Sequence, residues 1–200
     1  MLIPSIIITA CWAVFILYWF ISAFSVKRDI GSRWGGFGGG WWGVRIIFIL
    51  AVLILFHFFS PGSNGGYHIG INSLLRYWSP AGNLILAAIG SALCILGIAL
   101  AVWARAHLGR NWSSHPTLKE NHELVTSGPY ALIRHPIYTG VLLAAFGTGL
   151  VIWPWFVVFI GASIVFVWRV KREEALMTKQ FPNQYPEYKK RTWALVPWVW

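Results

Sequence analysis

The chain has 200 residues, of which 57% are hydrophobic and 11% charged, and its mean hydropathy is +0.61. A water-soluble domain carries about 25% charged residues, so the composition excludes both a disordered chain and an ordinary soluble globule, while the length fits one domain. A formal net charge of +10 would suggest nucleic acid in a soluble protein, but beside membrane spans Lys and Arg report sidedness instead.

Ile6 to Phe24 is an unbroken apolar stretch, close to the roughly 20 residues that cross a bilayer core. No basic stretch precedes it and no small-residue cleavage site follows, so a retained helix is expected rather than a signal peptide. Gly38 to Gly43 matches G-x-G-x-x-G, but it follows a hydrophobic helix rather than a strand, so it reads as an inner loop with Trp anchors. Val44 to Phe59 is a second apolar run, flanked by Trp41 and Trp42. Leu84 to Trp103 is a third. Ile137 to Trp168 carries no charge, and Trp153-Pro154-Trp155 near its middle predicts a tight turn between two helices. The expected fold is all-α: a polytopic membrane protein of five transmembrane helices ending in a helical hairpin. It forms one membrane domain, with a two-helix part over residues 1–80 and a catalytic core over 81–200. Cys11 and Cys94 lie inside apolar runs and read as small buried hydrophobes.

Every Lys and Arg except Arg76 falls in segments 26–45, 104–136 and 169–200. Five crossings put those three segments on one side, which the positive-inside rule makes cytoplasmic, with the N-terminus outside. Anionic lipid headgroups are then the expected partner of the basic residues, and nucleic acid is not. All the acidic residues fall in the same segments, so titratable chemistry is expected at the inner surface.

The connection from Arg105 to Pro136 is long for a helix–helix loop, and long ordered connections are often functional. Gly128-Pro129 signals a turn, and Pro136 suits the first turn of the following helix. Arg134 and His135 precede that helix, where free N–H groups attract anions. Gly140, Ala144 and Thr148 form a small-residue stripe that lets another backbone approach. The histidines at 107, 115, 122 and 135 lack metal-site spacing, so no metal is expected. After the hairpin, Arg169 and Glu173 share a helix face. Phe181, Tyr185 and Tyr188 suit an amphipathic helix lying on the membrane or on the loop.

Gly128-Pro129-Tyr130, Arg134-His135-Pro136-x-Tyr138-x-Gly140, a hydrophobic hairpin, Glu173-Glu174-x-Leu176 and Phe181-x3-Tyr185-x2-Tyr188 occur in that order. Over about residues 100–200 this combination resembles the isoprenylcysteine carboxyl methyltransferase family. The resemblance implies an integral-membrane enzyme that uses S-adenosylmethionine without a Rossmann domain and methylates a lipophilic, membrane-associated acceptor. The isoprenylcysteine-type carboxylate is the first expectation for that acceptor. Cofactor contacts carry over to His115, His122, Glu123, Leu124, Val125, Tyr130, His135, Pro136, Ile137, Tyr138 and Glu173, and Arg134, beside His135, is expected to join them at the cofactor's carboxylate. His115 and Glu123 stand where the eukaryotic pattern has glutamine and threonine. Arg169 matches the substrate arginine, and Arg169 and Glu173 are the expected catalytic pair. Three other readings compete: a phospholipid amine N-methyltransferase with Glu174 as base, an NADPH-dependent membrane reductase of the sterol type sharing Arg-His-x-x-Tyr, and a non-catalytic membrane scaffold.

Overall fold

The computed structural model describes residues 2–23, 83–109 and 124–200. Five α-helices occur there: α1 (Leu2–Ala23), α2 (Leu84–Leu108), α3 (Pro136–Val151), α4 (Trp155–Gln180) and the short α5 (Gln184–Lys190). A 3-10 turn over Gly128–Ala131 precedes α3. Among the described residues there is no strand, only an isolated parallel bridge between Ile133 and Trp193. All these elements belong to one compact unit.

Local chemistry sets the helix ends. Asn83 Oδ1 accepts from the N–H groups of Ile85 and Leu86 at 3.0 and 3.3 Å, satisfying two donors that the start of α2 leaves open. Pro136 opens α3, where its missing N–H costs nothing. The hairpin turn forms around Pro154, with Trp155 N–H bonded to Ile152 O at 2.9 Å.

α2 and α3 run antiparallel and touch backbone to backbone. A Cβ on Gly97 would lie 2.5 Å from Gly140 O and from Ala144 N; one on Gly147 would lie 2.5 Å from Gly90 O and 2.7 Å from Cys94 N. Only small residues allow this approach, so Gly90, Gly97 and Ala101 on α2 face Gly140, Ala144 and Gly147 on α3. The small stripe read from the sequence is therefore half of a two-sided seam. α1 joins through Trp12, whose Nε1 donates to Thr148 Oγ1 at 3.1 Å and whose ring stacks on Trp155 at 5.4 Å. Near its other end, buried Arg105 of α2 (2% exposed) donates to Ser22 O at 2.8 Å.

The outer faces carry Ile6, Leu17 and Phe20 on α1, Leu84, Ile85 and Leu96 on α2, and Val157, Ile160 and Ile164 on α4. Exposed apolar surface on this scale belongs against lipid. Ile3–Ser22 and Leu84–Leu108 are each long and apolar enough to cross a bilayer, and α3 is apolar but has 16 residues.

Several expectations shift in detail. The third apolar helix runs past Trp103 to Leu108, so Arg105 and His107 belong to the helix and not to the loop. α4 continues without a break from the apolar stretch through Arg169–Glu174 to Gln180. Tyr185 and Tyr188 lie on α5 and are buried, whereas Phe181 caps α4 because Pro182 interrupts the helix. The aromatic face of α5 packs on the loop before α3: Tyr188 donates to Tyr130 O at 2.6 Å. The Val44–Phe59 run and the Gly38–Gly43 loop lie outside the described residues.

Overpacking a tight seam costs about 1–3 kcal/mol. Gly97→Ala should therefore lower the thermal midpoint of the purified protein in detergent. Gly161→Ala, whose new Cβ meets no described atom within 4 Å, should leave the midpoint unchanged or raise it, since Ala exceeds Gly in helix propensity.

Candidate active site

α5 carries the chain back toward α3, and residues 191–195 then run beside 132–135 as a strap. Trp193 N–H donates to Leu132 O at 3.1 Å, Arg134 N–H to Trp193 O at 2.8 Å and His135 N–H to Ala194 O at 3.1 Å. Thr139 Oγ1 adds a bond to Leu195 O at 2.7 Å. The start of α3 is thus fixed between the strap and the end of α2, where Tyr130 OH donates to Ala104 O at 3.3 Å.

The adjacent carboxylates Glu173 and Glu174 on α4 face this start. Glu173 Oε1 accepts from Tyr138 OH at 2.6 Å and from Arg169 Nε at 2.8 Å. Its Oε2 lies 3.5 Å from His135 Nδ1. Glu174 Oε1 accepts from Arg134 Nε at 2.7 Å, and its Oε2 pairs with Lys189 Nζ at 2.7 Å. Arg134 Nη1 also donates to Thr192 O and to Lys189 O, so this side chain ties loop, α4 and strap together. Stacked rings complete the layer: His135 on Tyr138 at 5.6 Å, Tyr138 on Phe166 at 4.6 Å, and the Arg169 guanidinium 5.7 Å from the Tyr138 ring.

These contacts set the charge states. Burial opposes ionisation of Glu174, but contacts with His135, Lys189 and Arg134 prevail and hold it at about 2. Glu173 is likewise held below the usual carboxylate range: burial works against its charge, and His135, Tyr138 and Arg169 outweigh it. For His135 burial disfavours the cation, yet Glu173 and Glu174 raise its pKa above the ordinary imidazole value. His135 Nε2 is buried with no hydrogen-bond partner among the described residues; Glu174 Oε1 is 3.7 Å away.

Tyr130, Arg134, His135, Pro136, Tyr138, Arg169 and Glu173 thus gather around one end of the hairpin. Tyr130 directs its hydroxyl to α2 and stands beside the charged layer rather than within it. Ile137 is half-buried in the first turn of α3, and Leu124 and Val125 are half-buried in the approach to the 3-10 turn. His115, His122 and Glu123 lie outside the described residues. Sequence reasoning missed Lys189, Thr192 and Phe166. Charge balance signalled the first, because two adjacent half-buried carboxylates require more than the Arg169 partner.

The pH dependence follows from these shifts. The carboxylates, with lowered pKa values, contribute stability above the unfolded value near 4.5 that is lost as pH falls toward 2. His135, with its raised pKa, contributes stability below 6.5 that is lost as pH rises through its folded value. Thermal stability should peak between those limits, and His135→Gln should flatten the alkaline decline; an unchanged alkaline limb would contradict the His135 assignment.

Residues 89–179 match the isoprenylcysteine carboxyl methyltransferase (ICMT) family. The chain is 32% identical over 119 residues to protein-S-isoprenylcysteine O-methyltransferase B of Arabidopsis thaliana, covering 57% of this chain and 60% of that protein. It is 30% identical over 162 residues to cobalt-zinc-cadmium resistance protein CzcN of Cupriavidus metallidurans, covering 79% and 62%. The chain thus spans about three fifths of the length of these two relatives. A solved structure of the eukaryotic intramembrane Ras methyltransferase ICMT shares the fold, with a TM-score of 0.53 at 23% identity over 83% of this chain and 55% of that one. With its apolar, outward-facing helices, this fold makes the protein an integral membrane protein. Over its α2–α4 core the chain is similar to the isoprenylcysteine carboxyl methyltransferase family.

Proposed function

We propose that this protein transfers a methyl group from S-adenosylmethionine to the carboxylate of a lipophilic, isoprenylcysteine-like acceptor. The observation that carries this reading is the Arg169–Glu173–Tyr138–His135 layer, which begins one residue beyond a lipid-facing stretch of α4. The residues fit the cofactor. Among the described residues His135 Nε2 is buried without a hydrogen-bond partner, and no His135 side-chain bond caps the N-terminus of α3, so both suit the cofactor's amino-acid end. Glu173 Oε2, 3.5 Å from His135 Nδ1, suits an ammonium or hydroxyl. When bound, S-adenosylmethionine supplies an electrophilic methyl on a positively charged sulfur.

The protein's own groups then orient the partners. Tyr138, stacked on His135 and Phe166, fixes Glu173 through its hydroxyl. Arg169, fixed by Glu173 at Nε, aligns the acceptor carboxylate. A carboxylate nucleophile needs no base, so positioning supplies most of the catalysis. Arg134 acts through Glu174 and Thr192 as the tie that holds the layer, rather than as a direct contact to the cofactor. His115, His122, Glu123, Leu124, Val125, Tyr130, Pro136 and Ile137 line the remainder of the cofactor site in this reading. The amine-methylating alternative calls for a nearby carboxylate such as Glu174 as a base, and both oxygens of Glu174 are engaged by Arg134 and Lys189.

The same reading keeps five crossings, an outside N-terminus and a site on the cytoplasmic face against anionic lipids. It also keeps a two-helix part over 1–80 and a core over 81–200. Trp103 and Trp168 support the level of the membrane surface. Both are exposed; in the antiparallel register of α2 and α3, Trp103 falls level with the residues just before Pro136, and Trp168 adjoins Arg169.

With purified protein and labelled cofactor, Arg169→Ala should raise the acceptor KM and lower kcat by about 10²-fold, the scale of a misplaced reactant. Glu173→Gln should weaken cofactor binding more than acceptor binding. Unchanged turnover in both variants at saturating cofactor would overturn the site assignment, and binding of NADPH in place of the labelled cofactor would favour the reductase.

A further inference from the structure

Beyond its hydrogen bonds to the start of α3, the strap turns outward. Val196, Trp198, Val199 and Trp200 are exposed, Trp198 at 83% and Val199 at 79%. Trp198 has φ +63°, a left-handed conformation that is a true outlier for so bulky a residue. The turn that holds it is closed by Leu195 N–H to Trp200 O at 3.0 Å and Val199 N–H to Val196 O at 3.1 Å. The Trp193 ring, 5.5 Å away, backs the indole without covering it. Strain spent on pointing an indole outward is a reason to look for what it meets.

Two observations identify the occupant. The strap is bonded to residues 132–135, level with exposed Trp103 of α2 and next to the layer that adjoins exposed Trp168 of α4. Trp168 carries the Arg172 guanidinium 4.6 Å from its ring, an aromatic and a cation paired at one depth. Trp side chains gather at headgroup level. Cations flank the turn as well: Arg191 is exposed, and Lys190, whose Nζ pairs with Glu187 Oε1 at 2.6 Å, is 72% exposed. An aromatic tip beside cations complements an anionic bilayer surface.

We propose that Val196–Trp200 is a membrane foot. Trp198 and Val199 dock in the headgroup region, Lys190 and Arg191 meet anionic lipid, and the strap thereby couples the start of α3 to the bilayer. The proposal rests on the reading above that this end of the helices lies at the membrane surface.

The test uses the full chain in lipid nanodiscs of zwitterionic and anionic lipid, in a Cys11→Ser, Cys94→Ser background. Nitroxides are attached singly at Trp198→Cys, Val199→Cys, Trp103→Cys, Trp168→Cys and, as an aqueous reference, Thr178→Cys, an exposed position ten residues beyond Trp168 on α4. Accessibility to oxygen is compared with accessibility to a water-soluble nickel chelate. The expected oxygen-to-nickel ratio at 198 and 199 is several-fold above that at 178 and similar to that at 103 and 168. Lys190→Ser with Arg191→Ser should reduce the gain seen on adding anionic lipid. If 198 and 199 match 178 while 103 and 168 report the interface, the foot is wrong and the membrane level stands. If 103 and 168 also match 178, both fail. Spin–spin broadening between labels at 198 would show that a second copy covers the turn, which also overturns the foot.

Discussion

Two neighbouring carboxylates on one helix are the constraint around which the rest of the structure is arranged. Glu173 and Glu174 sit largely out of solvent, and like charges so close repel unless cations intervene. The partners come from three parts of the chain: Arg169 from α4, His135 and Arg134 from the loop before α3, Lys189 from α5. Satisfying the pair therefore assembles the site. The loop must approach α4, and α5 must fold back to deliver Lys189, which brings the strap along the loop.

The two carboxylates divide the work. Glu174 faces the scaffold, with Arg134 linking it to Thr192 and Lys189 closing its other oxygen. Glu173 faces the aromatic layer, with its Oε2 3.5 Å from His135 Nδ1. A rigid inner pair thus supports an outer pair that retains capacity for a ligand. The glycine seam serves the same end from below, because the close approach of α2 and α3 fixes the height at which Pro136 begins its helix.

Much of this was legible from local rules. Pro136 and Pro154 marked helix starts, since proline fits there and breaks helix interiors. Gly140 and Ala144 revealed a close-packed face, and the four-residue spacing of Arg169 and Glu173 gave their ion pair directly. Contacts between residues far apart in the chain were not legible. The bonds from Thr192 through Leu195 to the loop are made mostly by backbone atoms, which leave no mark in side-chain periodicity. Arg134 looked like an anion ligand because it precedes a helix, but only the fold reveals that Glu174, Lys189 and Thr192 claim its Nε and Nη1. Arg105 reads as the start of the loop in the sequence, whereas in the fold Ser22 O gives its guanidinium an acceptor inside the helix packing.

The chemistry of the acceptor is the point on which the functional reading turns, and the labelled product decides it. Protein incubated with methyl-labelled S-adenosylmethionine and a prenylcysteine acid in bilayers should yield a lipophilic product that releases its label as volatile methanol in alkali, the mark of a methyl ester. A lipophilic product whose label survives alkali would mean transfer to nitrogen or sulfur and would contradict the carboxylate reading.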